Sequence, residues 1–193
     1  MTRNGIAALL LTLASWVPGA AHGQTASPEI NFLATREGEF ILVEARADLA
    51  VTQATAWAVL TDYESYPRFI SSMQESKVVL RDPAGVIVEQ KGSFGFLFFS
   101  QAIEVRMLVS EFPPSVIVSR SNGGSFVDAH GRYELQPLEG GVRVLYTGRF
   151  LPEFDLPPLI GMGIVRYALR RNFTEMVDEI LRRQAIGRQP KAD

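Results

Sequence analysis

The chain contains no cysteine. Disulfides are therefore excluded, and so is the lipid that bacterial lipoproteins carry on a cysteine at the cleavage point. A secreted chain of this kind must hold together through its core alone. Histidine is scarce: His22 lies in the N-terminal leader, which leaves His130. Zinc needs clustered His, Cys, Asp or Glu at ligand spacing, so no metal site and no cofactor is expected. There is no Gly-x-Ser-x-Gly elbow, no phosphate-binding glycine loop, no internal repeat and no low-complexity tract. The apolar run Ile6–Val17 spans about a dozen residues, short of the roughly twenty that cross a bilayer.

At its start the chain does carry the three parts of an export signal. Arg3 supplies a positive charge, Ile6–Val17 the apolar run, and Pro18-Gly19 a break. Ala20-Ala21-His22-Gly23-Gln24 supplies small residues for a peptidase. Cleavage is expected after Gly23, with Ala21 the second choice, and the product is expected in the periplasm or secreted. The competing reading, an uncleaved anchor, meets the length argument above. The segments then read as a signal peptide over 1–23, an N-terminal extension over 24–38, one domain over 39–185 and a tail over 186–193. Roughly 170 mature residues suffice for one domain with a proper core and fall short of two.

Losing the leader removes Arg3 and no acid, which takes the net charge from −2 to −3. Nucleic-acid binders need a basic footprint, so nucleic acid is not an expected partner. The charge is uneven, however. From Arg166 onward seven bases meet four acids, on an otherwise acidic body. A basic helix of that kind either touches anionic lipid headgroups or is a solvated face.

Hydrophobic period gives the elements. Ile41, Val43, Ala45, Ala47 and Leu49 alternate and predict a strand over Glu39–Leu49. Thr52–Leu60 reads as a helix with Ala54, Trp57, Ala58 and Leu60 on one face, and Asp62 as the cap of a second short helix through Phe69. Period two returns in Ser76–Arg81, Val86–Phe94, Leu97–Glu111, Ser115–Arg120, Ser125–Gln136 and Val142–Phe150, with turn residues between them. After Pro152, Pro157 and Pro158, a helix from Leu159 to near Gln184 carries Met162, Val165, Leu169, Phe173, Met176 and Ile180 on one face. Short links make neighbouring strands antiparallel. The fold class is α+β: a seven-stranded antiparallel sheet curved on one long C-terminal helix, with two short helices after the first strand. A hollow between sheet and helix is plausible.

Charge assigns the faces. Glu104, Arg106, Arg120 and Arg149 read as outward. In Ser125–Gln136, the set Phe126, Asp128, His130, Arg132 and Glu134 shares the polar side, and Val127, Ala129, Gly131, Tyr133 and Leu135 the other. His130 therefore reads as a surface histidine in cross-strand pairs. Acid–base chemistry would need it turned inward, and no side chain is singled out as catalytic. Candidate ligand-lining residues are Phe94, Val105, Met107, Tyr133, Tyr146 and Phe150 from the strands, with Met162, Val165 and Leu169 from the helix. Gln90 and the tyrosine hydroxyls are the few polar groups. Such a lining suits a hydrophobic small-molecule ligand, and the same residues also read as a filled core. Phe94-Gly95-Phe96-Leu97-Phe98-Phe99 is apolar on both faces. It reads as a buried crossing, a membrane-touching loop through Phe94, Phe96 and Phe98, or a partner surface.

The run Ala54-Thr55-Ala56-Trp57-Ala58-Val59-Leu60-Thr61-Asp62-Tyr63-Glu64-Ser65-Tyr66-Pro67-Arg68-Phe69-Ile70 resembles the signature of the polyketide cyclase and coenzyme-Q-binding branch of the START-like (SRPBCC) superfamily. The strand opening near Ser76-Lys77-Val78-Val79 and the helix residues Asn172-Phe173 and Met176 extend the likeness over roughly Glu39–Ala185. The resemblance implies a helix-grip fold. It also implies a ligand among lipids, sterols, quinones, polyketides or hormones, with cyclisation in some members. Fold alone does not choose among these. The export signal departs from the mitochondrial and cytosolic relatives, whose roles are not carried over. The expectation is a monomeric binding protein, with a cyclase or dehydratase acting on an aromatic or polyketide-like substrate as the alternative.

Overall fold

The computed structural model describes residues 28–96 and 99–188. The leader, its cleavage site, Leu97, Phe98 and the last five residues lie outside them. Eight strands form one antiparallel sheet: β1 (Ile30–Glu37), β2 (Phe40–Leu49), β3 (Met73–Asp82), β4 (Gly85–Phe96), β5 (Phe99–Phe112), β6 (Val116–Gly124), β7 (Phe126–Leu138) and β8 (Gly141–Pro152). Between β2 and β3 come α1 (Gln53–Leu60) and a short 3-10 helix over Tyr63–Arg68. The C-terminal helix α2 runs over Gly161–Arg188. No helix among the described residues is long and apolar enough to cross a membrane.

The sheet order is β1-β2-β8-β7-β6-β5-β4-β3. Strands β3 to β8 form the expected meander. The link through α1 carries the chain from one end of that meander to the other, so β2 pairs with β8. The sheet has one strand more than the sequence pattern predicts. That strand, β1, falls in the segment read as an extension. It pairs along its whole length with β2 through a hairpin at Gly38, whose φ of +60 suits glycine. Its inward residues are few: Ala34 is buried and Phe32 half-buried, while Leu33 faces solvent. Short and mixed, it gives little periodic signal.

The core lies between the concave sheet face and α2. Strand β2 buries Ile41, Val43, Ala45, Ala47 and Leu49 in strict alternation, as its sequence predicts. Helix α2 buries Val165, Phe173, Met176 and Ile180 of the expected stripe, together with Ile164 and Val177. Gly161 opens the helix directly against Leu156, where a Cβ would lie 2.8 Å from the leucine side chain. Helix α1 is rotated from the expected face. It buries Ala56, Val59 and Leu60, with Trp57 half-buried, and leaves Ala54 and Ala58 exposed. Alanine is small enough for either side, so it marks the face poorly.

Polar latches fix α2 to the segments beside it. Glu175 accepts from the Ser71 backbone N–H at 2.9 Å and from its hydroxyl at 2.5 Å. Asn172 accepts from the Ser72 hydroxyl at 2.8 Å, and Gln184 from the Thr52 N–H at 2.8 Å. Asp62 makes no side-chain cap on the 3-10 helix, contrary to its expected role. It instead pairs with Arg183 of α2 at 2.8 Å. A guanidinium within reach outcompetes a backbone N–H for the carboxylate.

Candidate ligand cavity

Two adjoining chambers lie between sheet and α2. The first, about 160 Å³, is walled by phenylalanine: Phe94 of β4, Phe126 of β7, Phe150 of β8 and Phe154 of the following loop. Their rings form a continuous tilted chain, with Phe94–Phe154, Phe126–Phe150 and Phe126–Phe154 centroids 5.8, 5.8 and 6.2 Å apart. Ile103, Val105, Leu156, Val165 and Leu169 complete its apolar wall. The second chamber, about 200 Å³, is walled by Tyr63, Tyr66, Tyr133, Tyr146, Met107 and Ser119, among others. Met73, Gln90, Leu169 and Asn172 border both.

Eight of the nine candidate residues line these chambers: Phe94, Val105, Phe150 and Val165 the first, Met107, Tyr133 and Tyr146 the second, and Leu169 both. Met162 does not. It packs in the cluster of Ala34, Ile41, Val43 and Val165, one turn from the lining face. The chambers are also lined by Phe126, Phe154, Tyr63, Tyr66, Ser119 and Asn172, which stand outside that candidate set. Simple alternation puts Phe126 on the polar face. A register shift between Phe126 and Asp128 adds a residue there, turning Phe126 into the cavity and leaving Val127 66% exposed. Phe154 lies in a proline-rich loop with no periodicity to read. Tyr63 and Tyr66, with Phe69, read from the sequence as aromatic bulk at a pocket mouth or, more readily, as residues that hold the two short helices on the sheet edge; both tyrosines wall the second chamber.

The tyrosines divide into two pairs. Tyr63 donates to Glu111 at 2.9 Å and Tyr66 to the Leu60 carbonyl at 2.7 Å. Glu111 is in turn paired with Arg81 at 3.1 Å. Tyr133 and Tyr146 stack at 4.7 Å, and neither hydroxyl bonds to a group among the described residues. Burial pushes both well above the ordinary tyrosine range, the neighbouring Tyr133 adding to the effect on Tyr146. Both therefore stay protonated and act as donors. Tyr146 rests over a glycine window. Gly131 and Gly148 are cross-strand partners, and a Cβ on either would lie 3.4 or 2.9 Å from the Tyr146 hydroxyl.

Apart from Lys91, which borders the first chamber, charge stays on the convex face and at the helix. Lys91 pairs with Glu104, Arg106 with Glu89, and Asp128 with both His130 and Arg149. His130 is thus a surface residue in a cross-strand network, away from both chambers. The α2 bases are largely engaged: Arg166 donates to the Ala34 carbonyl, Arg171 to Glu175, and Arg182 and Arg183 to Glu179. Phe94 faces the cavity, while the Phe96 side chain and Phe98 fall outside what is described. No cluster of His, Cys, Asp or Glu able to hold a metal occurs among the described residues.

A curved antiparallel sheet closed by one long helix is the helix-grip fold of the START/SRPBCC superfamily. Within it, the chain belongs to the family described as polyketide cyclase / dehydrase and lipid transport, which matches residues 49–181. Solved structures share the fold. The Zhui aromatase/cyclase from Streptomyces sp. R1128 is 13% identical with a TM-score of 0.62, covering 79% of this chain and 98% of that one. A STAR-related lipid transfer protein from Xanthomonas axonopodis is 14% identical with a TM-score of 0.59, covering 87% and 97%. Human STARD10 is 14% identical with a TM-score of 0.58, covering 79% and 73%. No curated protein matches the chain.

Proposed function

We propose that this domain binds a hydrophobic small molecule, lipid-, quinone- or polyketide-like, between sheet and α2, and does so in the periplasm or outside the cell after loss of residues 1–23. The observation that carries the binding reading is the pair of adjoining chambers, with Lys91 the one charged side chain on their described linings. Apolar walls with few convergent polar groups are what such ligands need. The family, and neighbours named for lipid transfer and for aromatisation/cyclisation, support the same class. For cyclase or dehydratase chemistry the groups at hand would be tyrosine and serine hydroxyls and the Gln90 and Asn172 amides, with no carboxylate or imidazole on the described linings to act as a base. Binding is therefore the reading adopted.

Native mass spectrometry of protein purified from its own compartment, followed by organic extraction, is expected to show a bound apolar species. Protein that carries nothing and takes up no apolar ligand overturns the reading. N-terminal sequencing of that material is expected to begin at Gln24. An intact Met1 in cytosolic fractions overturns the export half alone.

A further inference from the structure

The shared border at Met73, Gln90, Leu169 and Asn172 lets one ligand reach from the phenylalanine rings to the tyrosine hydroxyls. The two ends differ in chemistry. The phenylalanine chamber offers ring faces and a single charged side chain, Lys91, already paired with Glu104 at 3.3 Å. The tyrosine chamber has no charged side chain on its described lining. Beside the Gln90 and Asn172 amides and the Ser119 hydroxyl, it has the Tyr133 and Tyr146 hydroxyls, which no described residue bonds and whose ring centroids lie 4.7 Å apart. Gly131 and Gly148 let the Tyr146 hydroxyl lie close against the sheet, where a Cβ on either would crowd it. No fully buried side-chain oxygen among the described residues lacks a partner, so these unbonded hydroxyls reach the open space of the cavity, where an acceptor on a ligand can receive their hydrogen bonds. An anionic group brought there without a cation is penalised by its lost hydration.

We propose that Tyr133 and Tyr146 select the ligand by its head group: a neutral hydrogen-bond acceptor, such as a ketone or quinone-type carbonyl oxygen, seats between them, while apolar rings or chain lie among Phe94, Phe126, Phe150 and Phe154. Carboxylate and phosphate heads are refused at that end. This rests on the binding reading above and adds the polarity of the ligand and the direction in which it lies.

Acetylnaphthalene, ethylnaphthalene and naphthoate, substituted at the same ring carbon, share one shape and differ at the head. Titrated into the purified protein at neutral pH, the ketone and the alkyl compound are expected to bind, and the carboxylate at least about a hundredfold more weakly than the ketone. The double variant Tyr133→Phe/Tyr146→Phe keeps both rings. It is expected to weaken the ketone by about tenfold and to leave the alkyl compound within about twofold. Phe94→Ala is expected to weaken ketone and alkyl compound alike. Should the double variant fail to fold, the single Tyr133→Phe and Tyr146→Phe variants supply the same ketone-to-alkyl ratio. Naphthoate binding as tightly as the ketone, or a ratio unmoved by these variants, overturns the head-group proposal and leaves binding standing. If none of the three compounds binds, the head-group proposal falls, and the binding reading stands or falls by the mass spectrometry and extraction described above.

Discussion

Glu179 sits on the buried side of α2, only 6% exposed, and its arginine neighbours decide how it titrates. Hydrogen bonds from Arg182 at 2.6 Å hold its carboxyl below the ordinary glutamate range; burial opposes this and Arg183 reinforces it. A carboxyl depressed in the folded state contributes stability that is full above the ordinary glutamate range. That stability is lost as pH falls through the lowered folded value. Glu179→Gln is therefore expected to flatten the acid limb of a pH–stability curve. At neutral pH it should cost on the order of 1 kcal/mol, since water screens much of the pair. Denaturant unfolding at several pH values checks both. Gly148 carries a different constraint. A Cβ there would lie 2.8 Å from the Phe150 ring and 2.9 Å from the Tyr146 hydroxyl. Gly148→Ala is expected to cost about 1–3 kcal/mol by overpacking and to shrink the tyrosine chamber, read as lower stability together with weaker ligand binding.

Among the elements, α1 depends on its first residue. Thr52 caps it by accepting the Thr55 N–H at 3.1 Å, and the same residue's N–H donates to Gln184 of α2. Thr52→Ala is expected to lower stability by about 1 kcal/mol in thermal unfolding, with ligand affinity unchanged, because the cap lies outside both chambers. The strands of the meander were legible because alternation of apolar and charged residues is strict where one face is buried. β2 shows this from Ile41 to Leu49. Legibility failed where the period breaks. The bulge before Asp128 inverts Phe126 and Val127, and no pattern in single residues announces an inserted one. β6 continues to Gly124 through the Ser121–Gly124 run that reads as a turn, because Gly123 and Gly124 adopt positive φ within the strand. The first strand gives little periodic signal because its pairing with β2, more than its own composition, makes it a strand.

For the whole molecule, the cavity and the core share their walls. Leu169 borders both chambers, so a larger side chain there enters empty space and divides the cavity. Leu169→Trp is expected to leave stability within about 1 kcal/mol and to weaken binding of the ketone probe at least about tenfold, measured by melting and by titration. A ligand that binds only the folded state raises stability by about 2.7 kcal/mol at a hundred times its Kd. With no disulfide available, that increment bears on a domain held by its core alone.

The amino-acid sequence by itself determined the class of fold, the inward apolar set and the absence of cysteine chemistry. Periodicity and composition are local properties, and they act whether or not the chain is folded. Only the tertiary structure decided that the inward set leaves two chambers, that β2 closes on β8, and that Tyr146 lies over Gly131 and Gly148 with the Tyr133 ring beside it. Those features depend on which strands meet and at what register, and on how far α2 stands from the sheet. Residues distant in the chain set them jointly, so no one stretch of sequence carries them.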